Sequence, residues 1–140
     1  MYNLLVPLFG INELSLNAVN FAVNFAERSS ANPVFVRFTK DMTGKKMEDS
    51  DQLEPIDRKI KELTRNYLVE DNINDEQWLD LNEYELEIRR FVEKHDISEI
   101  VLSAPDNNDQ LYPLFQNYVE SLKQTTNCRI ITVKGLTKRI

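Results

Sequence analysis

Three features of the 140-residue sequence predict an open, doubly wound α/β domain of Rossmann-like type, with a mainly five-stranded parallel sheet and helices on both faces. Short apolar or alternating runs with strand propensity recur along the chain. Amphipathic runs with helical spacing lie between them. The two kinds of run alternate from end to end as βαβαβαβαβ, and strands separated by helices pair in parallel through right-handed crossovers. The length fits one domain, residues 1–140, with one sizeable core.

Residues 3–8 (Asn-Leu-Leu-Val-Pro-Leu) are nearly continuously apolar, the pattern of a strand buried on both faces of a parallel sheet. Pro7 has no amide to give a ladder, so the strand ends there or turns that position away from a neighbour. Phe9, Gly10 and Ile11 form the exit turn, and Asn12 is suited to cap the next helix through its side-chain oxygen. Over Glu13–Arg28 a narrow polar stripe (Glu13, Asn17, Asn20, Asn24, Glu27) interrupts an otherwise apolar surface. Such a helix is buried around most of its circumference. Pro33 cannot continue it. Residues 34–39 then set Val34, Val36 and Phe38 against Phe35, Arg37 and Thr39, a second strand.

Residues 41–50 read as a polar loop. Leu53, Ile56, Ile60, Leu63 and Tyr67 recur at three and four and predict a surface helix over 52–69. A loop over 71–75 leads to a third strand at 77–81 (Gln-Trp-Leu-Asp-Leu). Asn82 and Glu85 have a spacing close to that of a capping box. Tyr84, Ile88, Phe91 and Val92 mark the helix behind them, which stops near His95 and Asp96. The last part of the chain holds a strand over 99–104, a polar turn over 105–109 and a helix from 110 to about 124 with Leu111, Phe115, Tyr118 and Leu122 inward. The closing strand is Arg129–Lys134, and Gly135 ends it.

Charge and cysteine usage narrow the function classes. The net charge is -6 and the pI about 4.9. The basic pairs Lys45–Lys46, Arg89–Arg90 and Lys138–Arg139 form no stripe, so no nucleic-acid partner is expected. No run approaches the ~18 apolar residues that span a bilayer, so no direct membrane insertion is expected. The N-terminus has no leader pattern. The single cysteine, Cys128, excludes an internal disulfide framework and points to the cytoplasm.

In an open α/β sheet, ligands bind at the carboxyl ends of strands. The turn after Ala104 reads Ala-Pro-Asp-Asn-Asn-Asp-Gln, with no glycine and no basic residue. The three glycines, Gly10, Gly44 and Gly135, are far apart, which rules out a phosphate-cradling loop of the Walker or dinucleotide type. His95, the one histidine, reads as a helix-terminal cap. With one histidine and one cysteine, no soft-metal site is expected. Cys128 reads as a small buried hydrophobe and Trp78 as core. Asp106, Asp109 and Glu120 lie near the binding edge but match no cation-loop spacing, and read as solvated or helix-capping groups. Receiver domains need acidic residues at the end of the first strand, where this chain has Leu8-Phe9-Gly10. No catalytic residue, metal or cofactor is therefore expected. The crevice residues, at or near strand carboxyl ends, are Phe9, Gly10, Arg37, Ser103, Asp106 and Asn107.

The chain resembles the universal stress protein family. Leu4-Leu-Val-Pro-Leu-Phe-Gly10 is similar to that family's opening strand, commonly I-L-V-P-V-D-G, and the helix with Ala18, Phe21, Ala22 and Ala26 is similar to its first helix. Residues 97–103 (Ile-Ser-Glu-Ile-Val-Leu-Ser) resemble its D-L-I-V-M-G strand, and Cys128-Arg-Ile-Ile-Thr-Val133 its closing C-P-V-L-V-V strand. Element order matches over nearly the whole chain and motifs over about a third of it. ATP-binding members carry an aspartate after strand one, where this chain has Phe9. They also carry a G-x-x-G turn after strand four and a G-S or G-T pair some nine residues later. Here those positions read Ala104-Pro-Asp-Asn-Asn108 and Gln116-Asn117. The resemblance thus implies the branch that binds no nucleotide. In that branch homodimers form through the last strand, here Arg129–Lys134. An apolar edge strand is a pairing template in any case. The expectation is a non-enzymatic, homodimeric stress-response domain acting on a protein partner that the sequence does not name. The alternative is a small-molecule or nucleotide sensor with a remodelled crevice at the carboxyl ends of strands one and four. An enzyme of the wider nucleotide-binding α/β group is a third reading, disfavoured by the missing phosphate loop.

Overall fold

The apolar runs form five strands, β1 (Tyr2–Phe9), β2 (Ala31–Phe38), β3 (Leu68–Asp71), β4 (Ile97–Ala104) and β5 (Arg129–Lys134). Between them lie α1 (Glu13–Arg28), α2 (Glu54–Leu63), α3 (Leu81–Lys94) and α4 (Tyr112–Thr125). The computed structural model describes residues 2–38, 54–71 and 81–134, with 81–83 as backbone only. The strands are all parallel in the order β3-β2-β1-β4-β5. The chain winds outward from β1 through β2 to β3, then crosses back to build β4 and β5 on the other side. The order reverses between β1 and β4.

Alternation along the strands divides the core into two layers. Leu4, Val6, Leu8, Phe35 and Val101 face α1 and α2, against Ala18, Val19, Ala22 and Ile60. Leu5, Phe9, Val36, Phe38, Ile100 and Leu102 face α3 and α4, against Tyr84, Ile88, Phe115, Tyr118 and Leu122. Helices on both faces are what unbroken strand–helix alternation demands. One irregularity serves this packing. Asn3 pairs with Ile97 but Leu4 with Glu99, so Ser98 is an extra residue in β4, a bulge. The shift lets Ile97 and Ile100 enter the same layer.

The ladder from β1 to β2 runs the full strand, from Tyr2 to Phe9, and passes through Pro7. The ladder from β1 to β4 stops at Leu5. Pro7 lies in the unpaired stretch and has no amide to extend that ladder. The two central strands therefore part toward their carboxyl ends.

Several boundaries differ from expectation. β2 starts at Ala31, with Pro33 inside it, rather than at 34, and β4 starts at Ile97 rather than at 99. The helix expected over 52–69 ends at Leu63. Tyr67 lies in a turn, and Leu68 and Val69 pair with Val34 and Phe35 as β3. Sheet pairing overrides the helical spacing, and Thr64 marks the break by donating its hydroxyl to the Ile60 carbonyl at 2.7 Å. Of the strand expected at 77–81, Leu81 instead opens α3, which takes in Asn82, and 77–80, with Trp78, lie outside the described residues. So do the loop expected at 41–50 and Gly135. The helix expected from 110 begins at Tyr112, with Pro113 in its first turn, where proline's missing amide costs nothing.

Candidate functional site

Where β1 and β4 part, a cleft opens at the carboxyl ends of the strands, the place where the strand order reverses and ligands bind in this architecture. Its volume is about 420 Å³, including the space at its mouth. Pro7 and Phe9 line it from β1, Leu102 and Ser103 from β4. Asn12, Leu14 and Ser15 approach from the start of α1, and Leu111 from the start of α4.

Phe9 forms the inner wall. Its ring stacks on Phe38 at 5.2 Å and meets Tyr84 and Tyr118 edge-on at 5.6 and 5.8 Å, geometries that suit the ring quadrupole. The residue is 8% exposed. Burial, followed by the charge of Glu85 and the neighbouring Tyr84, pushes the Tyr118 phenol well above 10, so it stays neutral.

The entry to α1 is closed on itself. Gly10 has φ 79° and donates its amide to the Phe38 carbonyl at 2.9 Å, a left-handed backbone that glycine adopts without strain. Asn12 accepts from the Ser15 amide and donates to the Phe9 carbonyl, each at 2.9 Å. The buried Ser15 hydroxyl donates to the Gly10 carbonyl at 2.8 Å.

The turn after β4 is closed in the same way, with carboxylates. The Asp106 side chain accepts from the Asn108 amide at 3.4 Å, and Asp109 accepts from the Leu111 amide at 2.9 Å. The Asp109 and Tyr112 amides go to the carbonyls of Asp106 and Asp109. These are turn amides of the kind that a glycine-rich loop offers to a phosphate. Here the chain's own acids take two of them, and both residues are exposed.

The residues expected in the crevice are thus partly brought together. Phe9 and Ser103 line the cleft, and Gly10, in the turn after Phe9, does not. Asp106 and Asn107 are exposed and do not line it. Arg37 is elsewhere. It lies on β2, away from β4, with Nη2 3.2 Å from Asp57 and Nε 3.8 Å from Asp71. Pro7, Asn12, Leu14, Ser15, Leu102 and Leu111 complete the lining and were not expected there. The signal for two of them was the three-residue spacing from Asn12 to Ser15 beside Gly10, which reads as a cap alone. Among the described residues no group of three or more His, Cys, Asp or Glu is placed to hold a metal. Among the described residues the cleft lining has no acid, base or thiol.

No protein-family model matches the chain, and no curated protein matches it by sequence. Solved structures do. A universal stress protein in complex with cAMP aligns with TM-score 0.59 and 11% identity over 94% of this chain and 95% of that one. The universal stress protein from Archaeoglobus fulgidus gives 0.56 and 13% over 96% and 94%. UspA from Lactobacillus plantarum gives 0.54 and 19% over 94% and 97%. The likeness establishes the fold: this is a five-stranded parallel α/β domain of the universal stress protein type.

Proposed function

We propose that the chain is a non-enzymatic, homodimeric regulatory or interaction domain of the universal stress protein type, acting in the cytoplasm through protein contacts and without bound nucleotide. The observation that carries this reading is the capping of the turn after β4 by Asp106 and Asp109. One similar structure holds cAMP. In this chain a nucleotide phosphate would have to displace two carboxylates from the amides and then sit beside them, like charge against like charge. Phe9 adds an apolar wall where a ribose hydroxyl would need a polar partner.

The dimer reading rests on the difference between the two sheet edges. β3 has four residues and ends in Glu70 and Asp71, a short edge guarded by charge. β5 has six residues with Ile-Ile-Thr-Val at its centre and no proline. Among the described residues it pairs on one side only, with β4. A β-branched edge whose charges lie only at its ends, here Arg129 and Lys134, is open to pairing at its centre, and a second copy supplies an identical one.

Sedimentation velocity tests the assembly. The native chain should sediment as a dimer at micromolar concentration. Thr132→Glu, at an exposed β5 position, places like charges close together across a two-fold axis and should shift the equilibrium to monomer by about tenfold or more. A native chain that stays monomeric up to high micromolar concentration would sink the reading.

A further inference from the structure

We propose that the flank of α1 carrying Phe21, Asn24 and Phe25 is the second part of a homodimer contact, covered by the same flank of the copy that pairs on β5. The inference rests on the dimer reading above and adds the surface which that reading lacks. β5, with six residues, is roughly 20 Å long and 5 Å wide. Its edge alone covers far less than the ~800 Å² that each partner buries in a stable complex. A helix beside β5 must make up the difference, and α1 and α4 pack on its two faces.

The two helices offer different surfaces. The exposed side of α4 carries Glu120 and Lys123. α1 repeats Ala-Val-Asn-Phe at 18–21 and 22–25 and has no charged residue from Leu14 to Ala26, in a chain of which 29% is charged. A four-residue repeat sets each residue type on one ridge of the helix. Ala18, Val19, Ala22 and Val23 are buried, and Asn20 and Asn24 are exposed. The two phenylalanines are half-buried, with their rings stacked 5.6 Å apart. Leu14 lines the gap between β1 and β4, and Phe21 and Phe25 return to within about 20° of it around the helix. They therefore lie on the β5 side of α1, where Ile131 and Val133 pack on the same layer. Depletion of charge around aromatic side chains marks the centre of an interface. The asparagines select the occupant. An amide both donates and accepts, so two identical faces satisfy each other across a two-fold axis.

Charge substitutions at the exposed Asn24 test this in the full-length chain by sedimentation equilibrium. Asn24→Lys and Asn24→Glu replace a poor helix former with better ones, so each variant should keep the native far-ultraviolet circular dichroism. Each alone should dimerise about tenfold or more weakly, because like charges then face each other. An equimolar mixture of the two should form a mixed dimer with an affinity within about threefold of the native one. Native affinity in both variants would overturn the inference and leave the β5 reading standing. So would a mixture that associates no more tightly than the separate variants. A native chain that stays monomeric up to high micromolar concentration would overturn both.

Discussion

Phe9 and Phe38 stack face to face at the carboxyl ends of adjacent strands, with ring centroids 5.2 Å apart and planes 11° from parallel. Their rings also meet the edge of Tyr84 at 5.6 and 5.2 Å. At the position where ATP-binding universal stress proteins carry an aspartate, this chain has a side chain that belongs to the core. Phe9→Ala should lower stability by about 3–5 kcal/mol, and Phe9→Asp by more, because it buries an unpaired carboxylate. Urea unfolding followed by circular dichroism checks both. A Phe9→Asp chain as stable as the native one would show that Phe9 is not part of the packing.

Tyr118 is 2% exposed and its hydroxyl has no hydrogen-bond partner among the described residues. Removing an unpaired buried hydroxyl removes a desolvation cost and keeps the ring contacts. Tyr118→Phe should therefore leave stability unchanged or raise it by up to about 1 kcal/mol. A loss of 2 kcal/mol or more in the same unfolding assay would contradict this placement.

Asn12 both caps α1 and ties its entry to the end of β1. Asn12→Ala should cost about 1–2 kcal/mol. Asn12→Asp keeps the acceptor for the Ser15 amide but loses the donor to the Phe9 carbonyl, so its loss should be smaller than that of the alanine variant. Equal losses from the two would mean that the cap contributes nothing.

Glu70 on β3 accepts from Lys94 Nζ at 3.0 Å. It also lies 3.3 Å from His95 Nε2, which is close enough for charge attraction but off the hydrogen-bonding direction. Burial raises the Glu70 carboxyl, but Lys94 and His95 outweigh it and hold the group below its ordinary 4.5. The unfolded chain thus binds the proton at higher pH than the folded one. The stabilisation is complete above about 4.5 and is lost as pH falls through the depressed folded value. The stability difference between the native chain and Glu70→Gln should shrink between pH 5.5 and 3. Urea midpoints across that range read it, and a difference that grows on acidification would reverse the assigned direction.

Much of the fold was legible because the hydrophobic period switches cleanly between two and 3.6 at most boundaries. It failed at Leu68 and Val69, which follow Ile60, Leu63 and Tyr67 closely enough to read as one more helical turn. Only the pairing of Leu68 with Val34 and Val69 with Phe35 makes them a strand, and that information lies some thirty residues away. The site was legible in position, since Phe9, Gly10 and Ser103 fall at or beside the carboxyl ends of β1 and β4. Arg37 satisfied the same rule but sits on β2, and strand order, which periodicity does not encode, carries it away from the opening. The cleft itself depends on where the ladder between β1 and β4 stops. Pro7 was the visible trace of that.

Native mass spectrometry of the purified chain, with and without ATP and magnesium, reads assembly and nucleotide occupancy in one experiment. The expected result is a dimer of two 16.4 kDa chains whose mass does not change on adding nucleotide. A nucleotide-sized adduct, or a chain that is monomeric throughout, would contradict it.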